Sequence, residues 1–304
     1  MVKVSDLIAE FLKEKEIKVV FGIIGSANSH IFDSISKLGY TKIINVHHEQ
    51  AAVMAMGAYW RASGKLSATI VTAGGGAANS ITGIVSNWAD SIPGIIISGN
   101  ESSFYIKEQE HLRMYGTQGF NIAKMVKDVT KYSHCLLDEN DIQNELEKCY
   151  KITNTGRKGP VLLDIPFDIQ AKQTPVRDWV KFTETDLPNP EHSDYIIEQI
   201  NNAKRPLILG GHGVKLSGAK KLFQSLIKKT GIPTTLSWSG IDLLNSNDPN
   251  FCGRFGLYGQ RAANFIVQNC DLLIVLGSRL ALPQTGYNFD EFVREGKIII
   301  IDID

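Results

Sequence analysis

Short β-branched runs alternate along this chain with longer stretches in which apolar residues recur at helical spacing. Residues 19–23, 43–46, 68–72, 95–98 and 161–165 are apolar almost throughout and are bounded by glycine, proline or polar residues. Such runs predict strands buried on both faces, as in a parallel sheet, rather than the in-and-out alternation of a half-exposed one. Near the start, Leu7, Ile8, Phe11 and Leu12 fall on one face of an amphipathic helix. Alternation of strands and helices predicts an α/β fold with helices on both faces of the sheet.

The pattern pauses after Gly159-Pro160-Val161-Leu162-Leu163-Asp164-Ile165-Pro166 and resumes at Arg205-Pro206-Leu207-Ile208-Leu209-Gly210-Gly211-His212-Gly213, a strand ending in a glycine turn. A helix is expected over 219–229, a strand with its turn over 270–280, and a late strand at Lys297-Ile298-Ile299-Ile300-Ile301. The chain is therefore expected to hold two consecutive doubly wound parallel-sheet domains, at residues 1–168 and 191–304. The second is Rossmann-like and incomplete at its C-terminal end. Residues 169–190, polar and marked by proline, read as a linker. No internal repeat or low-complexity tract is present.

At 304 residues the chain is long enough for two domains that each bury a core. The 32 basic and 32 acidic residues cancel, and no basic stripe is interleaved with aromatics, which excludes a polyanion-binding class. Neither a signal peptide nor a membrane-length apolar run is found, so a cytoplasmic protein is expected. Cys135, Cys149, Cys252 and Cys270 form neither a close pair nor a metal spacing and read as free thiols in a reducing compartment. The adjacent His47 and His48 point different ways from a strand or helix start, so no metal is assigned to them.

The candidate chemistry gathers at strand ends. In Ile43-Ile44-Asn45-Val46-His47-His48-Glu49-Gln50-Ala51-Ala52 a β-branched run gives way to a helix rich in small residues. Glu49 thus opens a helical turn at the carboxyl end of a parallel strand, where open α/β sheets place their chemistry, and is a candidate acid or base. Ala51, Ala52, Ala55 and Ala58 would let another helix approach closely, within the domain or from a second subunit. In Val71-Thr72-Ala73-Gly74-Gly75-Gly76-Ala77-Ala78-Asn79 the three glycines permit positive φ and close backbone approach. The pattern is not that of a phosphate-binding P-loop.

These segments, with Asp90-Ser91-Ile92-Pro93-Gly94 and Gly57-Ala58-Tyr59-Trp60-Arg61-Ala62-Ser63-Gly64-Lys65, resemble the pyrimidine-binding domain of thiamine-diphosphate enzymes, most closely the acetolactate-synthase-like branch. The resemblance runs from about residue 5 to 304. It implies that Glu49 bonds a ring nitrogen of the cofactor's aminopyrimidine and promotes the imino form, which takes the proton from C2 of the thiazolium. The ylid so formed attacks a 2-oxo acid. It also implies that Gly25, Ser26, Thr72, Gly75 and Asn79 lie against the cofactor, with Asn28, His30, Phe120 and Asn121 facing substrate. The sequence departs from the family pattern at Ile24 and Gly75, where proline is usual, and at Asn121, which replaces a glutamine one methylene longer.

The second half is similar to the family's central domain, which in some relatives binds a flavin such as FAD and in others only scaffolds. Gly211, Gly213, Gly277 and Arg279 would be the flavin or nucleotide contacts, although their spacing is not Gly-x-Gly-x-x-Gly. The Gly-Asp-Gly segment and downstream asparagine that hold Mg2+ and the cofactor diphosphate in complete relatives are not found. A truncated chain or a split enzyme is expected, inactive without its diphosphate-binding domain or subunit. The resemblance further implies at least a dimer (a homodimer or homotetramer), with the cofactor shared between subunits. The expected function is decarboxylation of a 2-oxo acid, pyruvate first, with transfer of the acyl carbanion to an acceptor, by a transferase or lyase. The rival expectations are a non-catalytic regulatory or scaffold subunit and a nucleotide-dependent oxidoreductase using the second domain.

Overall fold

The computed structural model describes residues 1–109, 111–181 and 192–304. The chain divides into two compact units, Met1–Thr185 and Asp186–Asp304.

In the first unit the strands are β1 (Val2–Lys3), β2 (Val19–Gly22), β3 (Lys42–Asn45), β4 (Ala68–Val71), β5 (Gly94–Asn100), β6 (Tyr132–Cys135), β7 (Pro160–Pro166) and β8 (Gln173–Thr174). Six of them form a sheet in the order β3-β2-β4-β5-β7-β6, parallel throughout. The apolar runs of β4, β5 and β7 are buried end to end, as expected of strands covered on both faces. On one face α1 (Val4–Glu14) and α2 (Ser29–Leu38) contribute Phe11, Leu12, Ile31 and Ile35 to a core with Ile70, Ile97 and Leu163. On the other, α3 (Glu49–Ser63) and α5 (Ile81–Ala89), with the short α4 (Gly75–Asn79) between them in sequence, bury Val53, Met56 and Ile84 against Val71, Ile96 and Leu162. Gly39 and Gly64 end α2 and α3 in the left-handed conformation that glycine adopts without strain.

From β2 the chain winds to β3 on one side and then crosses to β4 on the other. The carboxyl ends of β2 and β4 therefore flank a topological switch point, the crevice that open α/β sheets use for ligands. β6 lies outside the expected strands: Tyr132-Ser133-His134-Cys135 is a half-buried edge without an apolar run.

The expected linker is in part a structured element of the first unit. Residues 167–171 form α9 after α6 (Ser103–Glu108), α7 (Ile122–Met125) and α8 (Ile142–Asn154). β8 then pairs antiparallel with β1, Val2 opposite Thr174. Arg177 N–H donates to Gln143 Oε1 at 3.1 Å, and Trp179 packs on Phe11 with ring centroids 5.7 Å apart. Backbone pairing and one tryptophan hold a stretch whose polar composition suggested none of this. Residues 182–190 of that expected linker lie outside the described residues.

The second unit has β9 (Pro206–Gly210), β10 (Thr234–Leu236), β11 (Phe251–Arg254), β12 (Leu272–Leu276) and β13 (Lys297–Ile301) in the order β11-β10-β9-β12-β13. All are parallel. Separate apolar clusters around Leu209 and Phe255 and around Ile208 and Phe223 cover its two faces. The fold is thus two doubly wound α/β domains in sequence.

Candidate functional site

Three strand-end segments of the first sheet converge on Glu49. The residue opens α3 directly after β3, its position fixed by His48, whose Nδ1 accepts the Gln50 N–H at 3.2 Å as a helix cap. The residue is only 8% exposed, and its Oε2 accepts from Asn79 Nδ2 at 3.0 Å. The first turn of a helix favours negative charge there. Gly76 lies flush against the same group: a Cβ on it would sit 3.0 Å from Glu49 Oε1 and 2.7 Å from Thr72 Cγ2. From the β2 side Gly25 closes on Thr72, where a Cβ would come within 2.5 Å of Oγ1. The Thr72 hydroxyl is buried with no hydrogen-bond partner among the described residues. Glu49, Thr72, Gly25, Gly76 and Asn79 are therefore one cluster at the switch point.

The glycine segment is more ordered than expected. Gly74 alone has positive φ, +68°, and Gly75 and Gly76 begin α4. Gly75 is exposed, with open space where its Cβ would be. Ser26 is exposed on the turn after β2.

Asn28 does not face an open site. It is wholly buried, its Oδ1 accepting the Gly25 N–H at 2.8 Å and its Nδ2 donating to Ile23 O at 3.0 Å. Its amide makes the turn that a proline at Ile24 would otherwise stiffen. His30 meets Lys3, with Nδ1 at 3.2 Å from Nζ, and burial and then that ammonium hold its pKa below the ordinary value. That contact ties it to β1 rather than to the Glu49 cluster.

Phe120 and Asn121 line a cleft of about 420 Å³ together with Ile106, Lys107, Leu112, Arg113, Tyr115, Lys124, Cys135 and Leu137. The Phe120 ring packs on the core face that holds Ala52, Val71 and Ala77, and Asn121 Oδ1 caps α7 through the Lys124 N–H at 2.9 Å. A shallower hollow of about 230 Å³ lies over His48, Gln50, Ala51 and Met54. Of the small residues along α3, Ala52 is in the core, whereas Ala51 and Ala58 are exposed.

One group escaped the sequence reading. Asp164, fully buried in β7, accepts from Ser98 Oγ at 2.8 Å and Asn100 Nδ2 at 2.5 Å, and the Cys135 thiol also bonds it. Its ring of donors is uncharged, and burial pushes its pKa up to about 6. Asn100 Nδ2 also reaches Phe120 O at 3.2 Å, which ties the carboxylate to the cleft wall. A lone aspartate inside the run Val161-Leu162-Leu163-Asp164-Ile165 was the available signal.

In the second unit Gly211, Gly213 and Gly277 pack on one another. A Cβ on Gly211 would sit 2.1 Å from Gly277 O, one on Gly213 would sit 2.7 Å from Gly277 Cα, and the Gly213 N–H donates to Gly277 O at 2.9 Å. Gly277 has φ +61°, and Arg279 is exposed. Loop-to-loop contact accounts for these glycines without a ligand. Among the described residues no group of three or more His, Cys, Asp or Glu side chains could hold a metal ion, and no helix is long and apolar enough to cross a membrane.

The chain belongs to the thiamine pyrophosphate enzymes. Residues 2–125 match the family's N-terminal TPP binding domain, and residues 193–304 match the thiamine pyrophosphate enzyme central domain. Within that class it is similar to the acetolactate synthase large subunit of Haemophilus influenzae, 31% identical over 310 residues that cover 99% of this chain and 52% of the relative. It is also similar to the acetolactate synthase isozyme 2 large subunit of Escherichia coli, 31% identical over 297 residues (96% of this chain, 52% of the relative). The chloroplastic acetolactate synthase of Arabidopsis thaliana is 30% identical over 313 residues, 99% of this chain and 45% of the relative. The chain thus spans about half the length of the curated relatives it matches.

Proposed function

We propose that this chain supplies the pyrimidine-binding and central portions of a thiamine-diphosphate-dependent enzyme that decarboxylates a 2-oxo acid, pyruvate first, and passes the acyl fragment to an acceptor. The observation that carries the reading is the Glu49 cluster. A flat aminopyrimidine needs a proton-sharing partner at a ring nitrogen, a polar group at its edge and room against its face. The carboxylate of Glu49, the partnerless Thr72 hydroxyl and the side-chain-free surfaces of Gly25 and Gly76 fit those needs.

In this reading bound thiamine diphosphate supplies the carbanion chemistry, while the protein orients it and manages one proton. Glu49 holds or releases that proton at the ring nitrogen. Asn79 fixes which carboxylate oxygen faces the ring, and burial excludes water that would compete for the proton. Phe120 and Asn121 stand on the substrate side, and the shorter Asn121 leaves more room there than glutamine would. We assign the second unit a scaffolding role, because its strand-end glycines are engaged with one another.

Mg2+ and the diphosphate fall, in this reading, to ligands outside these 304 residues, carried by a further domain or a separate subunit. The working assembly is then at least a dimer, with the exposed face of α3 as one contact. Four free cysteines suit a cytoplasmic location. The test is a structure of that assembly with thiamine diphosphate bound, in which a pyrimidine nitrogen is expected at hydrogen-bond distance from Glu49. A ring seated elsewhere, with Glu49 turned to solvent, overturns the reading. Calorimetry gives a second check: thiamine diphosphate with Mg2+ should bind the isolated chain weakly and without turnover, and micromolar binding by this chain alone contradicts the assignment of the diphosphate ligands.

A further inference from the structure

The carboxylate of Asp164 stands one side chain away from the loop of residues 115–121 that carries Phe120 and Asn121. It is wholly buried, and among the described residues its donors are Ser98 Oγ, Asn100 Nδ2 and the Cys135 thiol, all uncharged. Burying an acid without a cation is costly, and an aliphatic side chain would fill the interior of β7 without that cost. What the acid does that an aliphatic residue cannot is orient its donors. Above its raised pKa of about 6 it is ionised, so it only accepts hydrogen bonds, and such bonds are stronger than neutral ones.

Asn100 carries that preference outward. It is buried, its Oδ1 accepts the Glu101 N–H at 2.8 Å, and its Nδ2 faces Asp164. The same Nδ2 lies 3.2 Å from Phe120 O and 3.3 Å from Tyr115 Oη. With the amide turned the other way, Oδ1 would meet both the carboxylate and Phe120 O, oxygen against oxygen. The acid thus fixes the amide, and the amide holds the loop. Tyr115 and Gly119 close that loop on itself by exchanging backbone hydrogen bonds at 3.0 and 2.9 Å. Gln118 in turn rests on the glycine segment, where a Cβ on Gly74 would come 3.0 Å from Gln118 O. Gly74 precedes α4, whose Gly76 and Asn79 meet Glu49. One short loop therefore links the buried acid to the Glu49 cluster.

We propose that Asp164, acting through Asn100, is a positioning residue for the loop that presents Phe120 and Asn121 to substrate and sets Gln118 against Gly74. The inference rests on the reading that Phe120 and Asn121 stand on the substrate side. Asp164 acts through the loop alone, so its effect falls on KM rather than on the chemical step.

The experiment compares Asp164→Asn, Asn100→Ala and the double variant with the parent. In the 304-residue chain, amide hydrogen exchange is followed by NMR at Tyr115 and Gly119 and, as an internal control, at Ile70 in β4. Each single variant should speed exchange in the loop about fivefold, the effect of one net hydrogen bond, and leave β4 at the parent rate. The double variant should match Asn100→Ala, because without the amide the acid has no route to the loop. Should Asn100→Ala not fold, Asn100→Ser carries the same cycle. In the complete assembly with thiamine diphosphate and Mg2+, each variant should raise KM for pyruvate about fivefold and keep kcat within about twofold. Additive effects in the double variant, loop and β4 exchange rising together, or an unchanged KM overturns the proposal. A parent assembly that does not turn over pyruvate overturns the proposed function instead, and the exchange cycle still decides whether Asp164 holds the loop.

Discussion

The two sheets end alike in sequence and differently in structure. Both close their strands with glycine-rich turns, Gly74-Gly75-Gly76 in the first unit and Gly210-Gly211 with Gly277 in the second. In the second, glycine meets glycine: Gly211 and Gly213 are pressed on Gly277, and the backbone polar groups bond across the contact. In the first, Gly76 and Gly25 instead lie against side chains, the Glu49 carboxylate and Thr72, whose buried hydroxyl has no hydrogen-bond partner among the described residues. A strand-end glycine therefore marks close approach in general. The first unit's glycines face side chains that can move, whereas the second unit's face backbone that has little freedom to do so.

The largest way to sharpen this contrast is through pH. The second unit buries no carboxylate among its described residues, whereas the first buries Asp164. The native pKa of Asp164, raised from the ordinary 3.8 to about 6, means that the unfolded chain binds fewer protons than the native one between those values. Stability of the first unit should then fall as pH rises from roughly 4 to 6, by up to about 3 kcal/mol for such a shift. Asp164→Asn should flatten that dependence and leave the second unit's transition in place. Urea unfolding at several pH values reads it directly, and an unchanged slope in the variant argues against the burial assigned to this group.

Gly211→Ala comes next. Its Cβ would fall 2.1 Å from a backbone oxygen that has little freedom to move, and overpacking of this kind costs about 1–3 kcal/mol and occasionally more. The loss should be confined to the second unit, seen as an earlier unfolding step with the first step unmoved. Gly76→Ala should cost less, about 1–2 kcal/mol, because Thr72 and Glu49 are side chains that can turn aside. Its effect should appear in cofactor binding more than in stability. Equal stability losses at the two positions would erase the distinction drawn above. The smallest effect runs the other way: Thr72→Val removes a buried hydroxyl without a partner and should stabilise the free chain by about 1 kcal/mol while weakening cofactor binding in the assembly. A destabilised Thr72→Val would mean that the hydroxyl is satisfied after all.

Much of the fold was legible because its strands carry the signal that burial on both faces imposes. The apolar runs at β4, β5 and β7 could hardly lie at a surface, and Glu49 stood out as an acid where a β-branched run meets a small-residue helix. What was illegible had local causes. β6 is a half-exposed edge of mixed polarity, and β10 and β11 are only three and four residues long. The stretch from 171 to 181 is held by pairing with residues far away in sequence, which composition cannot show. Asn28 looked available because nothing in its neighbours reveals that both ends of its amide are taken up by its own turn. Asp164 was hidden by the apolar residues that give it its unusual proton affinity.

The central claim is that Glu49 manages a proton on the cofactor's aminopyrimidine. Its most direct test is the rate of hydrogen–deuterium exchange at C2 of thiamine diphosphate bound to the complete assembly, compared between the parent and Glu49→Gln. The account predicts an intact fold and a rate lowered by about a hundredfold or more, the scale of a positioned acid or base. Exchange at the parent rate, with cofactor still bound, would contradict it.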